Sequence, residues 1–241
     1  MESQEHKGKI QMKILIIIPA YNEESNIERV VENLIHNFPQ YDYVVVNDGS
    51  KDSTADICRK KRYNLIDLPV NLGLSGAVQA GMRYAVKMGY DAAVQFDGDG
   101  QHRAEYIGVL AEKIEEGSAE IVIGSRFVTE KKQRTLRMLG NNILSFIVKI
   151  TTGYRMTDPT SGMRMFDKGV LSEFVFDMNY GPEPDTISYL IKQGVKVKEV
   201  QVKMDERIAG ESYLNLARSM KYMVLMSFSI LFMQRFRKRK N

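Results

Sequence analysis

The chain has 241 residues, 44% hydrophobic and 27% charged, with a formal net charge of +4. That is enough for one sizeable core in one domain, or a domain plus an appendage, and the single cysteine, Cys58, excludes an intramolecular disulfide and a cysteine-based zinc cluster. Arg235, Arg237, Lys238, Arg239 and Lys240 at the end of the chain leave −1 for everything else; such a tail suits nucleic acid or an anionic membrane, and the near-neutral body argues against the former.

Residues 1–11 are polar and read as a disordered extension, not a signal peptide; Met12 is the more typical opening. Lys13–Pro19, KILIIIP, is a near-continuous β-branched run, the pattern of a strand buried on both faces. After PAYNEESN, with Asn22 or Ser25 as helix cap, Ile27, Val30, Val31, Leu34, Ile35 and Phe38 recur at a helical period, and Pro39 ends them. Tyr41–Val46 is a second strand, ending in NDGSKDST. A short helix carries Ala55, Ile57 and Cys58, the cysteine as a small buried residue. Tyr63–Leu68 is a third strand, NLGLSG a loop and Ala77–Met88 a helix.

A fourth strand ends at Phe96 and runs into DGDGQH. Alone, this stretch reads equally as an Asp-Gly hairpin turn or as a pair of hard oxygen ligands, Asp97 and Asp99, for Mg²⁺ or Mn²⁺. Ala104–Glu116 is helical and Glu120–Ile123 a fifth strand, ending in GSRF. Residues 129–137 form a basic loop, and Leu136–Ile150 a helix. TDPTSGMRMF turns into a short strand. GPEPD introduces a helix over Thr186–Lys192, and Val195–Val202 alternates as a strand. DERIAGES then precedes an apolar helix from about Tyr213. Its run Tyr222–Met233 is too short to span a bilayer, which takes about 20 residues. It is read as a core helix, or as one lying at a membrane interface or on a partner.

Strand and helix alternate through the first half, so an α/β fold with a mostly parallel sheet is expected. Three polar turns, PAYNEE, NDGSKD and DGDGQH, then fall on one sheet edge. They carry Glu23, Glu24, Asp48, Asp52, Asp97 and Asp99. Ligands of open α/β sheets bind at that edge.

In order and spacing, IIPAYNEESNI, VVNDGSKDST, NLGLSGAVQAG, QFDGDGQH, GSRF and DPTSGMRMF resemble family 2 glycosyltransferases of the GT-A fold. The likeness is strongest to the branch of dolichol-phosphate mannosyltransferase and bacterial polyprenyl-phosphate glycosyltransferases. It spans about Met12–Tyr213, giving a GT-A domain over 12–212 and an apolar helix with a basic tail over 213–241. The resemblance implies an inverting, metal-dependent transfer from a UDP- or GDP-sugar to an undecaprenyl or dolichyl phosphate, in cell-wall or surface polysaccharide assembly. Relatives in this branch often carry transmembrane helices after the catalytic domain; here the short apolar helix and basic tail point to peripheral attachment at the inner face of the cell membrane, or attachment through a partner, and a homo-oligomer is left open.

By the same resemblance Pro19, Ala20, Tyr21, Glu23, Asp48, Gly73, Asp97 and Ser212 bind the nucleotide. Asp97 and Asp99 hold Mg²⁺ or Mn²⁺, with Gln101 a further ligand. Arg126 and Arg137 face the acceptor phosphate, and Arg207 and Ser212 close over the diphosphate. A phosphate nucleophile is already anionic near neutral pH and needs cations more than a base. Arg126, Lys131, Lys132, Arg134 and Arg137 offer those cations. A hydroxyl acceptor needs a carboxylate base, for which Asp158 is the first candidate and Asp185 the second. The branch often has a small hydroxyl residue one turn after the second arginine; here that position is Asn141. A transferase acting on a glycan hydroxyl, and a non-catalytic nucleotide-sugar binder, are the competing readings.

Overall fold

Seven consecutive residues with no water contact to lose build the centre of the molecule: strand β1, Ile14–Ala20, is buried throughout. In the computed structural model, which describes residues 12–132, 135–178, 180–205 and 216–237, β1 lies between β2 (Asp42–Asn47) and β4 (Ala92–Gln95), parallel to both. β3 (Leu65–Asp67) extends the sheet parallel to β2. On the other side β6 (Arg164–Asp167) runs antiparallel to both β4 and β5 (Ile121–Ser125), and β7 (Val197–Gln201) closes the sheet parallel to β5. The order is β3-β2-β1-β4-β6-β5-β7.

Helices cover both faces, which is why β1 needs no polar alternation. One face receives α1 (Ile27–Asn37), α2 (Thr54–Lys61) and α4 (Ile107–Glu115), through Ile27, Val31, Cys58 and Leu110. The other receives α3 (Gly73–Lys87), α5 (Leu136–Thr152), α6 (Lys168–Phe176), α7 (Pro184–Lys192) and α8 (Leu216–Leu231), through Met82, Leu144, Phe174, Leu190 and Ile230. Cys58 is fully buried, and burial pushes its thiol up to about 11, so it behaves as the small core residue expected.

Several local expectations change. Ile35 is 40% exposed. Neither Asn22 nor Ser25 caps α1; the N-cap is Asn26, and Asn22 instead takes a φ of 57° in the preceding turn. α3 begins at Gly73, inside the stretch read as a loop. α6 has no counterpart in the sequence reading; the Asp167 side chain caps it by accepting the Val170 N–H at 2.8 Å. Residues 1–11, expected as a disordered extension, lie outside the described residues.

Candidate active site

The parallel strands β1, β2 and β4 end at one sheet edge, and their three turns meet there. The first two are sewn together by hydrogen bonds. Lys51 N–H donates to Asn22 Oδ1 at 2.8 Å, Ser53 N–H to Glu24 Oε2 at 2.9 Å and Glu24 N–H to Asp52 Oδ2 at 3.1 Å. Glu24 and Asp52 are therefore structural acids. Gly49, at φ +64°, lets this edge close on the 70–71 backbone, where a Cβ would meet Asn71 N at 2.8 Å. Asp48 beside it accepts the Leu72 N–H at 2.7 Å. Burial raises its pKa, and backbone N–H donors from Leu72 and Gly73 oppose that rise.

Pro19, Ala20, Tyr21, Glu23, Asp48, Gly73, Asp97 and Asp99 line one cleft at this edge. The sequence reading overlooked Asn71, Leu74 and Ala77, which line it too; their signal lay in the loop whose second half is the start of α3. Ser212 lies outside the described residues.

Asp97 and Asp99 stand at the end of β4. Asp97 Oδ1 accepts from Gln95 Nε2 at 3.2 Å. The Asp97 N–H donates to His102 Nδ1 at 2.8 Å, which leaves Nε2 as the protonated nitrogen of the neutral ring, 3.6 Å from Asp97 Oδ2. The buried His102 ring also meets the edge of Phe96 at 5.5 Å. His102 thus holds the Asp97 backbone and lies beside its carboxylate, a contact that the sequence pattern does not announce. Across the cleft the backbone of Gly162 approaches so closely that a Cβ there would sit 2.6 Å from Asp97 Oδ2. Asp99 is buried, and its Oδ1 accepts the Gln101 N–H at 3.0 Å.

No group of three or more His, Cys, Asp and Glu side chains that could hold a metal occurs among the described residues. Two hard carboxylates in a cleft are still the donor set that Mg²⁺ or Mn²⁺ uses when substrate phosphates and water complete its shell. The Gln101 amide is turned to the Asp205 carbonyl, 3.3 Å away. Asp205 N–H donates to Gln101 O at 2.9 Å, and Arg103 Nε to Asp205 Oδ1 at 2.8 Å. The chain before residue 206 is therefore pinned beside the carboxylate pair. Arg207 lies outside the described residues.

The loop before β6 builds the other half of the site. Asp158 is fully buried and takes Arg126 as a fork: Nε at 2.7 Å to Oδ2 and Nη2 at 3.0 Å to Oδ1. Asn141 Nδ2 donates to Asp158 Oδ1 at 3.2 Å and to Thr160 Oγ1 at 2.9 Å, and Lys132 Nζ donates to Asn141 Oδ1. Burial pushes the Asp158 carboxyl up, but the Arg126 guanidinium outweighs this and holds it below its ordinary value.

Asp158, expected as a candidate base, is buried here and its carboxylate is taken up by Arg126 and Asn141. Asp185, the second candidate, is also engaged. It is buried at the start of α7, paired with Arg237 and accepting from Ser229 Oγ at 2.6 Å. Asn141, the departure from the family pattern, is a member of this clamp.

Glu199 on β7 completes the frame by accepting the N–H groups of Thr157 at 2.6 Å and Asp158 at 2.8 Å. Burial raises its pKa, and these donors oppose the rise. Lys132 is half-buried, and burial lowers its pKa. A second cleft carries Lys132, Lys149 and Arg155; the last two were not read from the sequence, because they lie beyond the loop searched for cations. Lys131 is exposed. Arg134 and the Arg137 side chain lie outside the described residues.

Residues 15–175 match the family model described as Glycosyl transferase family 2. The chain is 36% identical, over 79% of its length and 84% of the relative, to a UDP-N-acetylglucosamine--dolichyl-phosphate N-acetylglucosaminyltransferase of Methanococcus voltae. It is 31% identical, over 85% of its length and 88% of the relative, to an undecaprenyl-phosphate mannosyltransferase of Micrococcus luteus. Among solved structures it resembles glucosyl-3-phosphoglycerate synthase of Mycobacterium tuberculosis in complex with Mn²⁺, UDP and phosphoglyceric acid. That match has a TM-score of 0.64 at 15% identity and covers 91% of this chain and 76% of the other.

Proposed function

The chain belongs to glycosyl transferase family 2, and on that premise we propose that it transfers a sugar, with inversion, from a nucleotide sugar to a polyprenyl phosphate at the membrane surface. One observation carries the choice of acceptor: the carboxylate best placed to serve as a base, Asp158, is bound by Arg126. A hydroxyl acceptor needs a base in that half of the site. A phosphate monoester is already ionised and needs a cationic cradle. Lys132, Lys149 and Arg155 line one cleft with Phe127, over whose ring the Arg126 guanidinium also lies, and the Methanococcus voltae and Micrococcus luteus relatives are both named for lipid-phosphate acceptors.

In this reading Tyr21, Glu23, Asp48 and Gly73 seat the nucleoside. Asp97 and Asp99 would hold a divalent cation, which would supply positive charge to a leaving diphosphate. His102 keeps Asp97 oriented, and Arg207 and Ser212 close over the diphosphate. Arg126, fixed in direction by Asp158, places an acceptor phosphate oxygen on the far side of the sugar C1. That oxygen forms the new bond to C1 as the C1–O bond to the diphosphate breaks. The nucleoside diphosphate leaves with the electron pair, and no proton moves. Positioning and electrostatics are then the main sources of rate.

The test is incubation of the chain with labelled UDP- and GDP-sugars, undecaprenyl phosphate and Mn²⁺ or Mg²⁺. An organic-soluble sugar phospholipid is expected. Transfer to a glycan hydroxyl, with none to the lipid phosphate, would replace this reading with the competing one.

A further inference from the structure

Taking the cleft at the β1–β2–β4 edge, as above, to be the nucleoside seat, we propose that Glu183 is its positioning residue: the Glu183 carboxylate ties the first turn of α3 to α8 and so sets how tightly the cleft holds a nucleoside diphosphate. α3 starts weakly. Two of its first four residues, Gly73 and Gly76, are glycine, the poorest helix former after proline. Gly73 sits at φ +77°, and the N-cap is Leu72, whose side chain has nothing to cap with. Yet this turn is one wall of the cleft. Gly73, Leu74 and Ala77 line it, and the Leu72 N–H donates to Asp48 Oδ1 at 2.7 Å. Whatever holds the turn in place therefore holds the cleft in shape.

The hold comes from outside the helix. Ser75 Oγ donates to Glu183 Oε1 at 2.6 Å, across 108 positions of the chain. A hydrogen bond to a charged acceptor is roughly twice as strong as a neutral one. Glu183 is the N-cap of α7 but makes no side-chain hydrogen bond to its own helix; the carboxylate reaches across instead, and its Oε2 accepts from the Tyr222 hydroxyl of α8. Burial, and after it the Glu183 charge, push that hydroxyl well above its ordinary value, so it keeps the proton it donates. The backbone under the carboxylate is stiff. Pro182 and Pro184 fix φ on either side of Glu183. Pro182 O accepts from Arg164 of β6, whose Nη2 donates to Pro159 O at 2.8 Å. Gly181 brings the same turn so near α3 that a Cβ there would lie 2.3 Å from Ser75 Cβ. Ser75 is thus both packed on this turn and bonded to it. Ser75, Glu183 and Tyr222 do not themselves line the cleft, so their effect passes through the α3 backbone.

The test is calorimetric titration of the full chain with UDP and with GDP in the presence of Mn²⁺, for the wild type, Ser75→Ala, Glu183→Ala and Glu183→Gln. The wild type is expected to bind at least one of the two nucleotides. Ser75→Ala and Glu183→Ala should each weaken that binding by roughly tenfold. Glu183→Gln, which keeps an acceptor for Ser75, should lose less. The double variant Ser75→Ala/Glu183→Ala should bind no more weakly than Glu183→Ala alone, because both changes break one tie. The thermal melt of Ser75→Ala, followed by circular dichroism, should be nearly unchanged, which separates positioning from folding. Ser75→Ala that binds as tightly as the wild type would overturn the proposal and leave the reading of the cleft standing. Losses that simply add in the double variant would also overturn it. A wild type that binds neither nucleotide would remove the reading of the cleft and the proposal with it.

Discussion

Glu199 holds Asp158 by its backbone, accepting the Asp158 N–H at 2.8 Å, while Asp158 holds Arg126 by its side chain. An acid on an edge strand thereby sets the direction of a guanidinium that it does not touch. Glu199→Ala leaves the N–H groups of Thr157 and Asp158, which are part-buried, without their acceptor, at a cost of up to roughly 1–3 kcal/mol each. We expect the acceptor KM to rise by about tenfold with the donor KM nearly unchanged, and Glu199→Gln to recover part of the loss. Steady-state kinetics with each substrate varied in turn checks this; an unmoved acceptor KM in the alanine variant would remove Glu199 from the positioning chain.

Asp158 predicts an acid limb in stability. Its folded pKa lies below the ordinary carboxylate value, so the ionised form is the one the fold favours. Its contribution is complete above about pH 4 and is lost as the pH falls through the lower folded value. Asp158→Asn should cost about 3–5 kcal/mol at pH 7, with the gap to wild type narrowing toward pH 2. Urea unfolding at both pH values is the measurement; a gap independent of pH would mean that the pair does not titrate with folding.

Asp97 and Asp99 should be separable from the fold. Asp97→Asn or Asp99→Asn is expected to lower turnover by roughly 10³ or more with the melting transition retained. Chelation of divalent ions should abolish activity, and added Mn²⁺ or Mg²⁺ should restore it. Full turnover in either variant would contradict the metal-holding role.

His102→Ala should weaken metal affinity by roughly 10–100-fold, the usual effect of losing a group that orients a ligand. His102→Asn, which keeps an acceptor for the Asp97 N–H, should lose less. Mn²⁺ titration followed by electron paramagnetic resonance distinguishes the two variants, and equal affinities in all three proteins would leave His102 a packing residue only.

Gly162→Ala tests the opposed loop. The added methyl would lie 2.6 Å from Asp97 Oδ2, so the carboxylate or the loop must move. Turnover should fall by about tenfold or more. Gly169→Ala on α6 meets only ordinary contact, at 3.4 Å from Asp167 Oδ1, and should be neutral or stabilising by about 0.5–1 kcal/mol. Equal activity in the two variants would mean that Asp97 tolerates displacement.

The edge where the three acidic turns meet was legible because it is local. Apolar runs delivered β1, β2 and β4, each was followed at once by its polar turn, and parallel pairing put the turns together. The Arg126–Asp158 pair is non-local. Arg126 and Asp158 are 32 residues apart, and only β6 running against its neighbours brings them into contact. Asp158 and Asp185 looked like available bases because a sequence does not show which arginine a carboxylate meets. The start of α3 was hidden by its glycines, which read as loop although the helix packs on β1 through Gly81, beside Ile17. α6 is short, and its first turn depends on the Asp167 side chain.

The reversed strand β6 has a metric consequence. Its register with β4 is fixed at Gln95 opposite Arg164. Asp97 follows Gln95 by two residues, and Gly162 precedes Arg164 by two. A two-residue slip preserves the side-chain faces and moves a strand by about 6.6 Å along its partner. That displacement would carry the Arg126 anchor away from the carboxylate pair while leaving the core composition unchanged. Pro159, Ser161 and Gly162 thus sit at the end of a ruler whose graduations are backbone hydrogen bonds, and the distance between Arg126 and the Asp97–Asp99 pair is set by strand pairing.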